Sequence, residues 1–153
     1  MKIQSSFLFL ALMSTIEPCQ SDDNGPFEKF KNQHIVDETN INDMNDMNQG
    51  CDHIIKIRNI LYPDRKCKDK NTFIIGLIKD VISVCKGKKD TNGVITSVSD
   101  FATVLCERID KKNVNPPCKY TSQKKKQKIR IACVNGLPVH LEGPEKLSNN
   151  QGK

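Results

Sequence analysis

The sequence predicts an α+β domain, and three features carry that expectation. Apolar residues recur at helical spacing through the first half of the chain, and β-branched runs bounded by turn signals fill the second. Six of the seven cysteines are spread between the two halves. Helices followed by strands pack as an α+β arrangement, whereas a parallel sheet would need the two to alternate.

The chain of 153 residues opens with Met1-Lys2, runs apolar from Phe7 to Met13 and turns polar from Glu17 to Asp23. A positive start and an apolar run too short to cross a bilayer read as a secretory signal peptide over residues 1–20, in preference to a buried helix. The expected mature chain, residues 21–153, is then a single exported domain with no membrane span. Removing that segment removes Cys19 and leaves Cys51, Cys67, Cys85, Cys106, Cys118 and Cys133. Six cysteines in an exported chain are most simply three disulfides, for which about 15 pairings exist and spacing chooses none. The rival reading, a zinc site, lacks any C-x-x-C pair.

With no Trp and two Tyr, the chain can build only a modest core, which disulfides would support. Lys2 and Glu17 cancel, so the mature chain keeps the whole net charge of +6 and should meet anionic partners such as nucleic acid, acidic glycans or bacterial surfaces.

From Pro26 to about Val36, Phe27, Phe30 and Ile35 fall on helical spacing behind a proline suited to a first turn, so a short helix should carry His34 near its end. Residues 39–50 are rich in Asn, Asp and Met without a sustained period and read as a surface loop, with Met44 and Met47 exposed or loosely docked. Ile54, Ile55, Ile57 and Leu61 predict a second amphipathic helix, closed by Tyr62-Pro63-Asp64. His53 on that helix reads as a solvent-facing side chain. Residues 71–75 predict a strand and residues 77–85 a third helix. Beyond them, Asn92-Gly93, Asn115-Pro116-Pro117 and Asn135-Gly136 separate residues 94–98, 100–109, 118–123, 128–134 and 137–142, which read as antiparallel strands. From about residue 143 the chain lacks apolar anchors and reads as a frayed tail.

Two histidines and a lysine stand out against this background: His34 in Lys29-Phe30-Lys31-Asn32-Gln33-His34, Lys68 in Cys67-Lys68-Asp69-Lys70-Asn71-Thr72-Phe73, and His140 in Asn135-Gly136-Leu137-Pro138-Val139-His140. Singly, each is an ordinary surface or sheet residue. Together, two imidazoles and a cation suffice for RNA cleavage without metal. The 2′-hydroxyl must lose a proton, the leaving 5′-oxygen must gain one, and the phosphoryl oxygens must be neutralised. Imidazole suits both transfers because its ordinary pKa, about 6.5, lies near working pH. A bell-shaped pH profile is expected.

All three stretches, in this order, resemble the pancreatic ribonuclease (ribonuclease A) superfamily, and the resemblance spans about residues 27–142. It implies a ribonuclease A-like fold of three N-terminal helices on a bent antiparallel sheet, with disulfides Cys51–Cys106, Cys67–Cys118 and Cys85–Cys133. It implies a monomeric, pyrimidine-preferring endoribonuclease acting on single-stranded RNA without metal or cofactor. His34 would be the base, His140 the acid and Lys68 the cation at the phosphate. Gln33 and the Leu141 backbone would contact phosphate, Thr72 the pyrimidine edge, and Asn71 would support the site. Residues 86–105 lack the cysteines of a fourth disulfide, and Leu141 stands where phenylalanine is common; both features resemble angiogenin and the three-disulfide ribonucleases of lower vertebrates. Glu142 stands where aspartate usually orients the acid, and Val134 where many members carry glutamate, which weakens any expected purine preference at the second base.

Arg65, Lys66, Lys68 and Lys70 crowd one loop, and Lys124, Lys125, Lys126 and Lys128 form a second run, read as a solvated hairpin tip between strands. The sharper alternatives for that run are a phosphate or glycan contact or a nuclear-import signal. Neither run interleaves aromatics, so base stacking is not expected there. A second function class therefore stands beside the enzyme: a cationic angiogenic or bactericidal effector acting through its surface.

Overall fold

Two small cores on either side of one central strand organise the chain. The computed structural model describes residues 25–144; the expected signal segment lies outside the described residues, as does the tail expected from about residue 143 except for Gly143 and Pro144, which instead close the last strand. Helix α1 (Gly25–His34) runs directly into β1 (Ile35–Asp37), followed by α2 (Ile41–Asn48), α3 (Cys51–Ile57), β2 (Lys70–Gly76) and α4 (Ile78–Ser83), which tightens into a 3₁₀ turn at Val84–Lys86. Five further strands follow: β3 (Val94–Thr96), β4 (Phe101–Arg108), β5 (Tyr120–Gln127), β6 (Ile129–Val134) and β7 (Leu137–Pro144). They form two sheets, ordered β1-β2-β4-β5 and β3-β6-β7. All pairings are antiparallel except β1 on β2. This is the α+β, ribonuclease A-like architecture, with α2 as an additional short helix.

Successive residues of a strand point to opposite faces, and β2 uses both. Phe73 enters a core with Val36, Ile54, Ile55, Val104 and Tyr120, whereas Ile74 enters a second core with Phe30, Ile35, Val81, Ile129 and Ile131. Ile35 and Val36 of β1 divide in the same way. The disulfides span this arrangement: Cys51–Cys106 ties α3 to β4, Cys67–Cys118 ties the approach to β2 to that of β5, and Cys85–Cys133 ties the 3₁₀ turn to β6. Each closes a separation of 48 to 55 residues, for which a disulfide typically contributes about 2–4 kcal/mol.

Four elements differ from expectation. The first helix, expected to run to about Val36, ends at His34, and Ile35–Asp37 leave it as β1 to pair with β2. The segment expected to be a loop forms α2, because Asn40 Oδ1 accepts from the backbone N–H of Asn42 (2.9 Å) and Asp43 (3.3 Å), capping the helix start. Met47 then reaches the first core and Met44 packs against it. Helix α3 stops at Ile57 because Asn59 turns to φ +55°, a left-handed conformation that swings Ile60 inward. Finally, Lys124, Lys125 and Lys126 are no hairpin tip. They lie within β5, opposite Val104, Thr103 and Ala102 of β4. As the edge strand, β5 is exposed from Thr121 to Lys126, so no alternation marks it in the sequence.

Arg58, just past α3, fastens the end of α1: Nη1 donates to Asn32 O (2.9 Å) and Ile35 O (2.7 Å), while Nη2 meets Asp43 Oδ1 at 3.1 Å. Helix α2 thus holds the residue that holds α1. Replacing Met47 by Ala should cost about 2–4 kcal/mol in denaturant unfolding. Ile41→Ala, on the same helix but 72% exposed, should stay within about 0.5 kcal/mol. Equal costs would mean that α2 is not docked through Met47.

Candidate active site

His34 is the last residue of α1, where the helix meets β2. Its Nδ1 lies 2.9 Å from Thr72 O. A carbonyl can only accept, so Nδ1 carries the hydrogen and the neutral ring keeps its lone pair on Nε2. The ring packs against Phe30 one turn back, with centroids 5.3 Å apart. One residue earlier, Gln33 O accepts from Asn71 Nδ2 at 2.9 Å. Two adjacent residues of the helix are therefore bonded to two adjacent residues of the strand.

Asn71 is buried, and its other amide atom, Oδ1, accepts from Lys68 Nζ at 3.0 Å. That bond leaves two of the three ammonium hydrogens for another acceptor. The Lys68 carbonyl in turn accepts from Tyr120 Oη at 2.8 Å. Burial, and secondarily the charge of Lys29, lowers the Lys68 pKa.

His140 approaches from β7, opposite Ala132. The register of β6 and β7 shifts on both sides of it, since Ala132 faces His140 while Cys133 faces Pro138, and Ile131 faces Leu141 while Arg130 faces Gly143. Val139 and Glu142 are thus the extra residues of two bulges, a device that re-aims side chains. Gly143 absorbs the second with φ +94°. Glu142 Oε1 lies 3.1 Å from His140 Nε2, so the longer carboxylate does reach the ring. His140 Nδ1 has no protein partner among the described residues.

The seven residues singled out beforehand, Gln33, His34, Lys68, Asn71, Thr72, His140 and Leu141, all line one groove of about 430 Å³. Burial is the main cause that lowers the His34 pKa from 6.5 to about 4; the Thr72 carbonyl opposes it, and the charges of Lys68 and His140 add to it. The unfolded chain takes up that proton near pH 6.5 and the folded one near pH 4, so this residue favours folding above the window and draws the protein toward unfolding as pH falls through it. Chemically, the groove combines a neutral imidazole with an open Nε2, a second imidazole with an open Nδ1, and a half-buried ammonium. It can take a proton from one side of an anion and return one on the other.

Sequence reading missed several contributors. Leu105 of β4 pairs with Thr72 and lines the groove, a placement that depends on strand register. Tyr120 reaches Lys68 across a gap of 52 residues. Of the two bulges, only Gly143 left a trace in the sequence. His53, expected to face solvent, is part-buried and pairs with Asp46 Oδ1 at 3.0 Å, apart from the groove.

Comparison with known proteins agrees with the geometry. The family model for pancreatic ribonuclease matches residues 25–142. Ribonuclease CL2 of Gallus gallus is 29% identical over 117 residues, covering 76% of this chain and 94% of the relative. Angiogenin of Saimiri sciureus is 30% identical over 138 residues, covering 88% and 89% respectively. Among solved structures, green turtle egg white ribonuclease superposes with a TM-score of 0.67 at 29% identity, covering 78% of this chain and 98% of that one. With a family match over most of its length, relatives aligned nearly end to end and a shared fold, the chain belongs to the pancreatic ribonuclease family.

Proposed function

We propose that this protein is a secreted endoribonuclease that cleaves single-stranded RNA after pyrimidines, by transphosphorylation to a 2′,3′-cyclic phosphate. One observation carries the reading: His34, locked as the Nδ1–H tautomer by Thr72 O, shares its groove with Lys68 and His140. His34 Nε2 takes the 2′-hydroxyl proton as the 2′-oxygen attacks phosphorus. The P–O5′ bond breaks, and His140, protonated on Nδ1 and held through Nε2 by Glu142, gives its proton to the departing O5′. The products are the cyclic phosphate and a free 5′-hydroxyl. Lys68 neutralises charge growing on the non-bridging oxygens, a role in which one placed donor is worth about 3–4 kcal/mol. Gln33 and the Leu141 backbone hold the phosphate. Thr72, whose hydroxyl has no protein partner among the described residues, meets the pyrimidine edge.

His34 is a weaker base than free imidazole, but above pH 4 it is mostly in its working form. Cys51, Cys67, Cys85, Cys106, Cys118 and Cys133, all paired, suit an oxidising compartment outside the cell. The first test is cleavage of a short RNA containing one pyrimidine, with chelator present. Wild type should yield the cyclic phosphate, and His34→Ala and His140→Ala should each lose a factor on the order of 10² to 10⁴. Undiminished cleavage by either variant would overturn the assignment.

A second reading, a cationic effector that binds acidic glycans or bacterial surfaces, draws on Lys124, Lys125 and Lys126. They form no ion pair among the described residues, whereas Lys70, Lys111 and Lys119 are all matched by carboxylates. Lysines also guard an edge strand against pairing with another chain, which is a sufficient reason for them. Reversing all three charges should leave dinucleotide cleavage unchanged. If it abolished bacterial killing while His140→Ala did not, catalysis would not be the source of the biological effect.

A further inference from the structure

Lys68 is flanked by two anchors, and only one of them is a disulfide. Before it, Cys67 is bonded to Cys118. After it, Asp69 is held at three points: its N–H donates to Tyr62 Oη (3.2 Å), its carbonyl accepts from the Arg108 N–H (2.9 Å), and its carboxylate Oδ1 accepts from Arg108 Nη2. Arg108 is the last residue of β4 and only 6% exposed. Its Nη1 donates to Asn113 O at 2.7 Å, while Nε is buried without a partner. Tyr120, which holds the Lys68 carbonyl, is Arg108's cross-strand partner.

Stability does not account for this arginine. The guanidinium is buried while the Asp69 carboxylate is 56% exposed, so it gives up hydration for a partner screened by solvent, and its Nε–H, without a partner among the described residues, adds a further cost. What an arginine adds is a rigid planar fork that fixes its acceptors in direction. Here the acceptors are the carboxylate of the residue next to Lys68 and the carbonyl of Asn113. The single bond from Lys68 Nζ to Asn71 orients the end of a long flexible side chain, and that works only if the backbone beneath it does not turn.

We infer that Arg108 is a positioning residue for Lys68: its guanidinium, bridging the Asp69 carboxylate and the Asn113 carbonyl, clamps the segment from which the lysine reaches the groove. The inference rests on reading Lys68 as the cation at the phosphate. A lysine released by even about 1 Å would lose much of its effect, since misplacements of that size cost up to about 100-fold. Arg108 does not touch the groove, so it acts only through Lys68.

The test is a double-mutant comparison on the full mature chain with a dinucleotide substrate. Arg108→Met should lower kcat about tenfold or more with little change in KM, and in a Lys68→Ala background the same substitution should have no effect. The double variant, Arg108→Met with Asp69→Ala, removes both partners and should behave alike if the single variant folds poorly. An equal loss in both backgrounds, or no loss in either, would overturn the proposal. Titration of Lys68 Cε by NMR separates this outcome from a failure of the ribonuclease reading. If the clamp is real, Arg108→Met should move the Lys68 midpoint upward toward its ordinary value whether or not the protein cleaves RNA, and an unmoved midpoint counts against it.

Discussion

The bond between His34 Nδ1 and the Thr72 carbonyl is the constraint on which the site depends. It joins the end of a helix to the middle of a strand. Around it, Gln33 O is bonded to Asn71, Ile35 begins the parallel pairing with Ile74, and Arg58 ties down the carbonyls of Asn32 at the end of α1 and Ile35 at the start of β1. The same contacts that end the helix select the tautomer of the imidazole.

Stability and chemistry are drawn from the same residues. Phe30 fills the second core and also forms the wall against which His34 packs. Phe73 and Ile74, directly after the Asn71–Thr72 pair, supply one side chain to each core. The groove is thus seated on a strand that feeds both cores, and the disulfides cross-link its surroundings. This is an economical solution for a chain too short for a large core. The cost falls on His34, which is buried far enough to be a poor base but stays neutral over a wide pH range.

Much of this was legible in the sequence, for reasons specific to each element. Phe27 and Phe30 behind Pro26 announced α1, the isoleucines of α3 its buried face, and Asn135-Gly136 the β6–β7 turn. Helix α2 was hard to read because five of the eight residues of Ile41–Asn48 are Asn or Asp, and Ile41, Met44 and Met47 make too short a stripe to stand out; it forms through a cap at Asn40 and the docking of Met47. Strand β5 hid its length because an edge strand exposed on both faces need not alternate. The site residues came from local motifs, and their roles from resemblance. The residues around them, Tyr120, Arg108 and Arg58 as anchors and Leu105 in the groove wall, became visible only once strand register and helix packing were known.

The central claim is that the helix–strand junction holds His34 as a neutral, Nδ1-protonated base. NMR titration of the His34 ring nitrogens in the free protein tests it most directly. The account predicts the Nδ1–H tautomer at neutral pH and a midpoint lowered to about 4. An Nε2–H tautomer, or a midpoint at the ordinary imidazole value near 6.5, would contradict it.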